Sequence, residues 1–378
     1  MRIAVLAETD GVETRVAATP DTVKKYKALG ADVIVQAGAG VQAGLPDAAF
    51  EAEGASIAAS AADALKDADV ILKVRRPAEG ELAGAKPGAL VIAIMDPYGQ
   101  DAALKSLADA GVSAFSMELM PRITRAQVMD VLSSQANLAG YRAVIDASAE
   151  YGRALPMMMT AAGTVPAARI FVMGAGVAGL QAVATARRLG AVVTATDVRP
   201  AAKEQVESLG AKFVAVEDEE FKQAETAGGY AKEMSAEYRA KQAELVAAHI
   251  AKQDIVITTA LIPGRPAPRL ISRAMVESMK PGSVIVDLAV ERGGNCEVAV
   301  PGQVVEHNGV KIVGHLNVPG RLAATASSLY AKNLYAFVET LVNKETKSLV
   351  VKWDDELVKA TCLTRDGAIV HTAFQPAA

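Results

Sequence analysis

Short apolar runs alternate with helical patterns along two separate parts of the chain. The first part contains strand patterns at 2–7, 31–36, 69–74, 89–95 and 113–119, with helical stretches between them. The second part contains strand patterns at 169–173, 191–197, 212–216, 254–259, 283–288 and 310–313, and helical patterns at 177–189 and 201–209. Such alternation is typical of parallel sheets covered by helices. The sequence therefore predicts an α/β protein with two Rossmann-like domains.

Two long helical patterns lie outside these alternating parts. One runs from about Arg125 to Ala154, and at its start Thr124 followed by Gln127 has the spacing of a capping box. The other follows Gly320 and is succeeded by three short strand patterns, at 348–352, 356–364 and 368–372. We expect long helices to join the domains and the second helix to return the chain to the first one. The predicted domains are residues 1–133 with 324–378, and residues 134–323.

A highly charged segment separates two strands of the second part, between Glu217 and Asp254. It is longer than connections in α/β units usually are, and it contains Gly229 and Tyr230. We predict a mobile loop over about 218–252 that carries one aromatic side chain. The alternative is a solvated helical excursion.

Composition excludes several classes of protein. The net charge of −4 and the pI near 5.7 favour neither a nucleic-acid partner nor an anionic membrane. Cys296 and Cys362 are the two cysteines, too few for a disulfide framework or a zinc site, so we expect no metal. The first residues lack the apolar run of a signal peptide, so we expect a cytoplasmic protein. Residues 170–186 are uncharged, but the motif inside them argues against a membrane span.

That motif is Gly-Ala-Gly-Val-Ala-Gly at 174–179, directly after one strand and at the start of a helix. In a dinucleotide site Gly174 makes the tight turn, Gly176 lets the backbone approach a pyrophosphate, and Gly179 lets helix and strand pack closely. The helix N-terminus then faces the phosphates. The alternative is a glycine-rich turn without a ligand.

Asp197 ends the strand that follows this helix, where a carboxylate accepts hydrogen bonds from both hydroxyls of an adenosine ribose. It would repel a 2′-phosphate, which favours NAD(H) over NADP(H). Arg199 lies two residues further on and would weaken that preference. The alternative role for Asp197 is a helix cap.

A second group of polar residues lies at the start of the first long helix. Gln127, Asp130 and either Ser133 or Ser134 recur at helical spacing and predict a polar row on one side. Taken alone, the row has structural alternatives: Gln127 completes the capping box, or Asp130 pairs with Arg122 or Arg125.

The distribution of histidine bears on the chemistry. All four histidines lie after residue 248, so the first 248 residues have none for proton transfer. Lys73 and Arg15 there either bind a small carboxylate or form surface ion pairs. Oxidation of an alcohol or amine needs a proton acceptor, whereas hydride exchange between two nicotinamides needs none. The pattern favours a reaction between nucleotides.

Several longer segments carry a family resemblance. They are PRITRAQVMDVLSSQANLAGYRAV from 121, PMMMTAAGTVPAARIFVMGAGVAGLQAVATARRLGA from 156, TAGGYAKEM from 226, TTALIPGRPAP from 258 and GSVIVDLAVERGGNCE from 282. They closely resemble the NAD(H)-binding alpha subunits of proton-translocating NAD(P) transhydrogenases, with alanine dehydrogenase as the nearest relative in fold. The likeness covers essentially the whole chain.

The resemblance implies a site for NAD(H) in the interdomain cleft. It assigns the nicotinamide pocket and catalysis to Arg122, Gln127, Asp130 and Ser133. It assigns the rest of the cofactor to Gly174, Gly176, Val177, Gly179, Asp197, Val198, Gly229, Tyr230, Thr259, Ala260 and Leu261. Hydride would pass to NADP(H) on a beta subunit, coupled to proton translocation by membrane-spanning subunits. The resemblance also implies a homodimer, held at the cytoplasmic face of the inner membrane by its partners.

Three departures from the relatives bear on the alternative, a soluble NAD-dependent amino-acid dehydrogenase of the alanine type. Alanine dehydrogenases carry a catalytic histidine in a segment that here reads AIMDPYG, from 93. Their late aspartate appears here as Glu291, and the chain opens with LAETDG, from 6, in place of a lysine-glutamate pair. These departures disfavour amino-acid oxidation and leave nucleotide binding untouched. A third possibility is an NAD sensor without chemistry.

Overall fold

The protein, for which we use a computed structural model describing residues 1–223 and 234–375, divides into two compact units. The first unit comprises Met1–Gln135 and Pro319–Ala378, and the second comprises Ala136–Val318. Across the described ranges, no helix has both the length and the apolar character needed to cross a bilayer.

The first unit is built on a six-stranded parallel sheet with strand order β3-β2-β1-β4-β5-β6. Its strands are β1 Arg2–Val5, β2 Asp32–Gln36, β3 Ser56–Ala58, β4 Val70–Arg75, β5 Leu90–Ile94 and β6 Ser113–Ser116. Its first helices are α1 Pro20–Ala28, α2 Asp47–Ala52, α3 Ala61–Leu65 and α4 Asp101–Asp109. Side chains of β1 alternate between two cores: Ile3 and Val5 pack on one face and Ala4 on the other. Both faces are covered, as a parallel sheet requires.

A long helix, α5 Val131–Glu150, begins in the first unit and continues into the second. The second unit contains the strands β7 Met158–Thr160, β8 Gly163–Val165, β9 Arg169–Met173, β10 Val192–Thr196, β11 Lys212–Phe213, β12 Ile255–Thr258, β13 Val284–Asp287, β14 Val304–His307 and β15 Val310–Val313. Its helices are α6 Val177–Arg188, α7 Ala202–Ser208, α8 Glu219–Lys222, α9 Ala236–Ile250 and α10 Arg273–Ser278.

The main sheet of the second unit has the order β11-β10-β9-β12-β13-β15-β14, and only the pairing of β14 with β15 is antiparallel. Along β9, Ile170 and Val172 belong to one core and Phe171 and Met173 to the other. The chain winds in one direction from β9 to β10 and in the other from β9 to β12. This reversal lies where a doubly wound sheet binds ligands, at the carboxyl ends of its central strands.

The last part of the chain completes the first unit. Its elements are α11 Ala323–Thr340, β16 Val342–Asn343, β17 Ser348–Leu349, α12 Glu356–Thr361, β18 Thr364–Arg365 and β19 Ala368–Ile369. The strand predicted over 356–364 is wrong, because residues 356–361 form α12. Asp355 accepts a hydrogen bond from the backbone N–H of Leu357 and caps that helix, a signal that the β-branched residues had obscured.

The first long helix begins later than we predicted from the capping-box spacing. Thr124–Met129 is a 3-10 turn, and the α-helix starts only at Val131. Asp130 caps it by accepting the backbone N–H of Ser133 at 2.8 Å. The helix also ends at Glu150, before the predicted Ala154.

The charged segment over 218–252 contains more regular structure than a loop. α9 covers residues 236–250, capped by Ser235, whose hydroxyl accepts the N–H of Tyr238. Tyr238, Val246 and Ile250 are buried, so this part of the predicted loop is a helix of the fold. Gly229 and Tyr230 lie outside the described residues.

Candidate functional site

The turn between β9 and α6 has the geometry that its glycines predict. Gly174 has a φ of +102°, and a Cβ there would lie 2.6 Å from the Thr259 hydroxyl. A Cβ on Gly179 would lie 1.8 Å from the Gly174 carbonyl oxygen. Larger residues at either position would displace the backbone, so both glycines are required by packing within the protein.

Gly176 differs from the other two, because a Cβ there would meet no heavy atom within 4 Å. It is the N-cap of α6 and has no side chain with which to cap the helix, and no other side chain in residues 1–223 or 234–375 bonds the N–H groups of the first turn. The first hydrogen bond of α6 runs from the Leu180 N–H to the Gly176 carbonyl at 2.8 Å. The N–H groups of the first turn are therefore available beside open space, which suits a phosphate group.

Asp197 lies next to this turn. Its carboxylate accepts the backbone N–H of Ala175 at 2.7 Å, so the end of β10 is bonded to the glycine turn. The side chain is only 7% exposed, and Arg199 binds both of its oxygens, at 2.9 and 3.0 Å. The sequence placed Arg199 near the site but did not reveal this pairing. Val198, between them, is exposed.

The residues after β12 lie on the other side of the glycine turn. The hydroxyl of Thr259 donates to the Gly174 carbonyl at 3.0 Å, and its N–H donates to Met173 at 2.9 Å. Leu261 is exposed. The structure therefore brings together the glycine turn, Asp197 and Thr259 at one end of the sheet, where β9, β10 and β12 finish.

The four residues predicted for the nicotinamide lie in the first unit, and they do not form a row on one helix. Asp130 ends the 3-10 turn and accepts hydrogen bonds from the N–H and the hydroxyl of Ser133, at 2.8 and 2.5 Å. Gln127 and Arg122 precede the helix and are exposed. Arg125 pairs with Asp355 and Glu356 instead of Asp130. Among the described residues Asp130 forms no ion pair with Arg122 or Arg125, so the alternative of an arginine pair is wrong, and Asp130 is a helix cap.

Arg15 and Lys73 are both buried, so the alternative of surface ion pairs is wrong. Arg15 forms an ion pair with Glu13 at 2.7 Å and donates to the Gln135 side-chain carbonyl at 2.8 Å. Burial would raise the pKa of Glu13, but hydrogen bonds and charge from Arg15 lower it to about 2. Arg75 adds a second ion pair to Glu13 at 2.8 Å.

Lys73 has its own carboxylates. It forms a short ion pair with Glu81 and a longer one with Glu8, at 3.7 Å. Burial raises the pKa of Glu8 to about 7, although the charge of Lys73 and the N–H groups of β4 oppose the shift. Glu81 lies in a loop eight residues after Lys73, and no local sequence signal links the two. The two buried cations, Arg15 and Lys73, thus each already have a carboxylate partner.

Comparison with known proteins supports, over nearly the whole chain, the family resemblance found in the sequence. Residues 4–139 match the family described as alanine dehydrogenase/PNT, N-terminal domain, and residues 143–372 match its C-terminal domain. The first portion of the split NAD(P) transhydrogenase subunit alpha of Rhodospirillum rubrum is 60% identical over 379 residues, covering 99% of each chain. The corresponding portion of the subunit from Rickettsia prowazekii is 46% identical, covering 98% of this chain and 96% of that one.

Solved structures agree with these relatives. The crystal structure of a transhydrogenase from Sinorhizobium meliloti is 65% identical, with a TM-score of 0.90, and the match covers 98% of this chain and 100% of that one. An L-alanine dehydrogenase structure shares the fold with a TM-score of 0.82 at 24% identity, covering 99% and 98%. The predicted fold class and resemblance are confirmed. The chain belongs to the alanine dehydrogenase/PNT family, and within it to the NAD(P) transhydrogenase alpha subunits.

Proposed function

We propose that the second unit binds NAD(H) at the glycine turn. The observation that carries this proposal is the open space at Gly176, beside helix N–H groups that no described side chain caps. A pyrophosphate fits this cradle because its negative charge complements the helix N-terminus. Asp197 would accept hydrogen bonds from the hydroxyls of the adenosine ribose. To do so, its carboxylate must give up contacts with Arg199. Val177, Val198 and the residues 259–261 would flank the cofactor.

The reaction that we propose is hydride transfer between NAD(H) on this chain and NADP(H) on a beta subunit. When bound, the nicotinamide supplies the hydride donor or acceptor, and the protein supplies orientation. We propose that Arg122, Gln127, Asp130 and Ser133 contact the nicotinamide end. The exposure of Arg122 and Gln127 supports this role, since both side chains are accessible to a ligand. Coupling to proton translocation would reside in membrane-spanning subunits.

The pairing of Arg15 and Lys73 with carboxylates in the first unit argues against the alternative, a soluble amino-acid dehydrogenase of the alanine type. A small carboxylate substrate needs an unpaired cation to bind it. Here Arg15 is already paired with Glu13, and Lys73 with Glu81 and Glu8. An incoming carboxylate would have to displace a buried ion pair, which is costly because the displaced charge stays buried.

The cofactor proposal is tested by fluorescence titration of the isolated chain with NADH and with NADPH. We expect NADH to bind more tightly, because Asp197 repels a 2′-phosphate. Asp197→Asn keeps an oxygen for the Ala175 N–H and removes the charge. We therefore expect it to weaken NADH binding and to reduce the preference for NADH over NADPH. Equal affinity of the wild-type chain for NADH and NADPH, unchanged in the variant, would remove Asp197 from the site.

We also propose that the chain forms a homodimer through the hairpin of β7 and β8. This two-stranded sheet pairs with no other described strand, and such hairpins are marginal alone. Met157, Met158 and Met159 are all exposed on it, with 80% of Met159 accessible. A second copy of the chain would bury these flexible apolar side chains. In the assembled enzyme, we propose, the dimer lies at the cytoplasmic face of the inner membrane, held there by its partners.

A further inference from the structure

Asn295 is completely buried in the second unit and bonds the segment that follows β12. Its side-chain oxygen accepts the backbone N–H of Ala260 at 3.0 Å, and its side-chain amide donates to the Ala260 carbonyl at 2.9 Å. The same amide donates to the Pro268 carbonyl at 2.8 Å. One side chain thus satisfies both backbone groups of Ala260, as a neighbouring β-strand would.

The position of Asn295 is itself fixed by its surroundings. It follows Gly293 and Gly294, which have φ values of +95° and +80°, and its own carbonyl accepts the N–H groups of Leu270 and Ile271, at 2.8 and 3.0 Å. Only an amide offers an acceptor and two donors with this geometry, so neither Asp nor Leu replaces it. The bonds are strong constraints because each lost partner leaves a buried polar group unsatisfied.

These contacts reach the glycine turn in one further step. β12 ends at Thr258, and after the bond of the Thr259 N–H to Met173 the chain leaves the sheet, so Ala260 depends on other bonds for its course. Thr259 bonds to Gly174 through its hydroxyl, and its neighbour Ala260 is held by Asn295. The chain of bonds therefore runs from Asn295 through Ala260 and Thr259 to the turn.

We propose that Asn295 is a positioning residue for the half of the dinucleotide site that lies beyond the pyrophosphate. The inference rests on the proposed function, NAD(H) binding at the glycine turn. In this strand order the adenosine half lies towards β10, which Asp197 follows, and the other half towards β12 across the point of reversal. Asn295 acts through Ala260 on the β12 side, so its loss affects a dinucleotide and spares a mononucleotide.

The test uses Asn295→Ala, Asn295→Asp and a control, Ser283→Ala, in the full chain. Asn295→Asp keeps the shape and the acceptor for Ala260 and loses both donors, so it serves if Asn295→Ala does not fold. Ser283 is also buried and donates to the Gln253 carbonyl at 3.4 Å. It directly precedes β13, at the end of the strand away from the glycine turn. Each protein is titrated with NADH and with 5′-AMP, and its free energy of unfolding is measured in urea.

We expect the Asn295 variants to raise the dissociation constant of NADH about tenfold, to leave that of AMP within about twofold, and the control to change neither. Unchanged NADH binding in the variants would overturn the inference. Equal weakening of NADH and AMP, or the same NADH loss in Ser283→Ala, would also overturn it by showing a general structural role. If the wild-type chain binds no NADH at all, the proposed function fails first.

Discussion

Replacement of Gly176 by alanine separates a ligand requirement from a folding requirement. Its φ of −77° and ψ of −166° are accessible to alanine, and the added Cβ meets no heavy atom within 4 Å. The protein without ligand should therefore fold almost normally. At an N-cap, alanine is less favourable than glycine, which predicts a loss of about 0.5 kcal/mol in the free energy of unfolding.

The effect on NADH binding should be much larger. The new Cβ occupies the space that we assign to the pyrophosphate, so the phosphates must withdraw from the N–H groups of α6. A hydrogen bond to a charged group contributes about 1.5–3 kcal/mol, and loss of one to two such bonds amounts to about 3 kcal/mol. This predicts a dissociation constant for NADH raised roughly 100-fold.

Two further glycines supply the comparison. Gly179→Ala should destabilise the fold itself by about 3 kcal/mol, because its Cβ would lie 1.8 Å from the Gly174 carbonyl oxygen. Gly152→Ala, in the same unit and also in open space, should change neither property. The assays are NADH fluorescence titration and urea unfolding. Normal NADH binding by Gly176→Ala would refute the assignment of the phosphate cradle.

Three other predictions concern the rest of the chain. Asp130→Ser keeps a cap for α5, so its stability should stay within about 0.5 kcal/mol of wild type, while single-turnover hydride transfer should slow; an unchanged rate would return Asp130 to a capping role alone. Glu8 has a folded pKa of about 7, above the usual 4.5, so its stabilisation is present below about pH 4.5 and is lost as the pH rises through 7. Between pH 5 and 8 the free energy of unfolding, measured in urea, should fall by roughly 2 kcal/mol more in the wild type than in Glu8→Gln. The same pH dependence in both proteins would contradict this. Met159→Ser should weaken dimers in sedimentation experiments, and an unchanged association constant would exclude the hairpin as the interface.

The strands were the part of the fold most accessible from sequence. β9 and β15 have the predicted bounds. For β9 the reason is that a central parallel strand is buried on both faces and appears as a continuous apolar run, here Ile170–Met173. The start of α5 was not accessible in this way, since Thr124 and Asp130 both carry capping signals. Asn333 decides between them: its side chain donates to the Val128 carbonyl at 2.8 Å and accepts from Ser134 at 2.7 Å. Such a contact over two hundred residues of sequence has no local signature.

The candidate site also combines features that have a local sequence signal with contacts that have none. Local geometry of the glycine turn and the place of Asp197 follow from a strand, a turn and a helix that are adjacent in sequence. The bond of Thr259 to Gly174, the partners of Asn295 and the pairing of Lys73 with Glu81 join distant segments or loops without regular pattern. Sequence periodicity reports on one element at a time, so these contacts emerge only from the fold.

The central claim is that this chain presents NAD(H) to a nucleotide on a partner subunit and oxidises no substrate of its own. It is tested most directly by mixing the chain, loaded with an NAD⁺ analogue whose reduced form absorbs at a distinct wavelength, with the purified NADP(H)-binding subunit carrying NADPH. We predict stoichiometric reduction of the analogue in a single turnover, and no NADH oxidation when the chain alone receives pyruvate and ammonium. Turnover of NADH with pyruvate and ammonium, without transfer from the partner, would contradict the account.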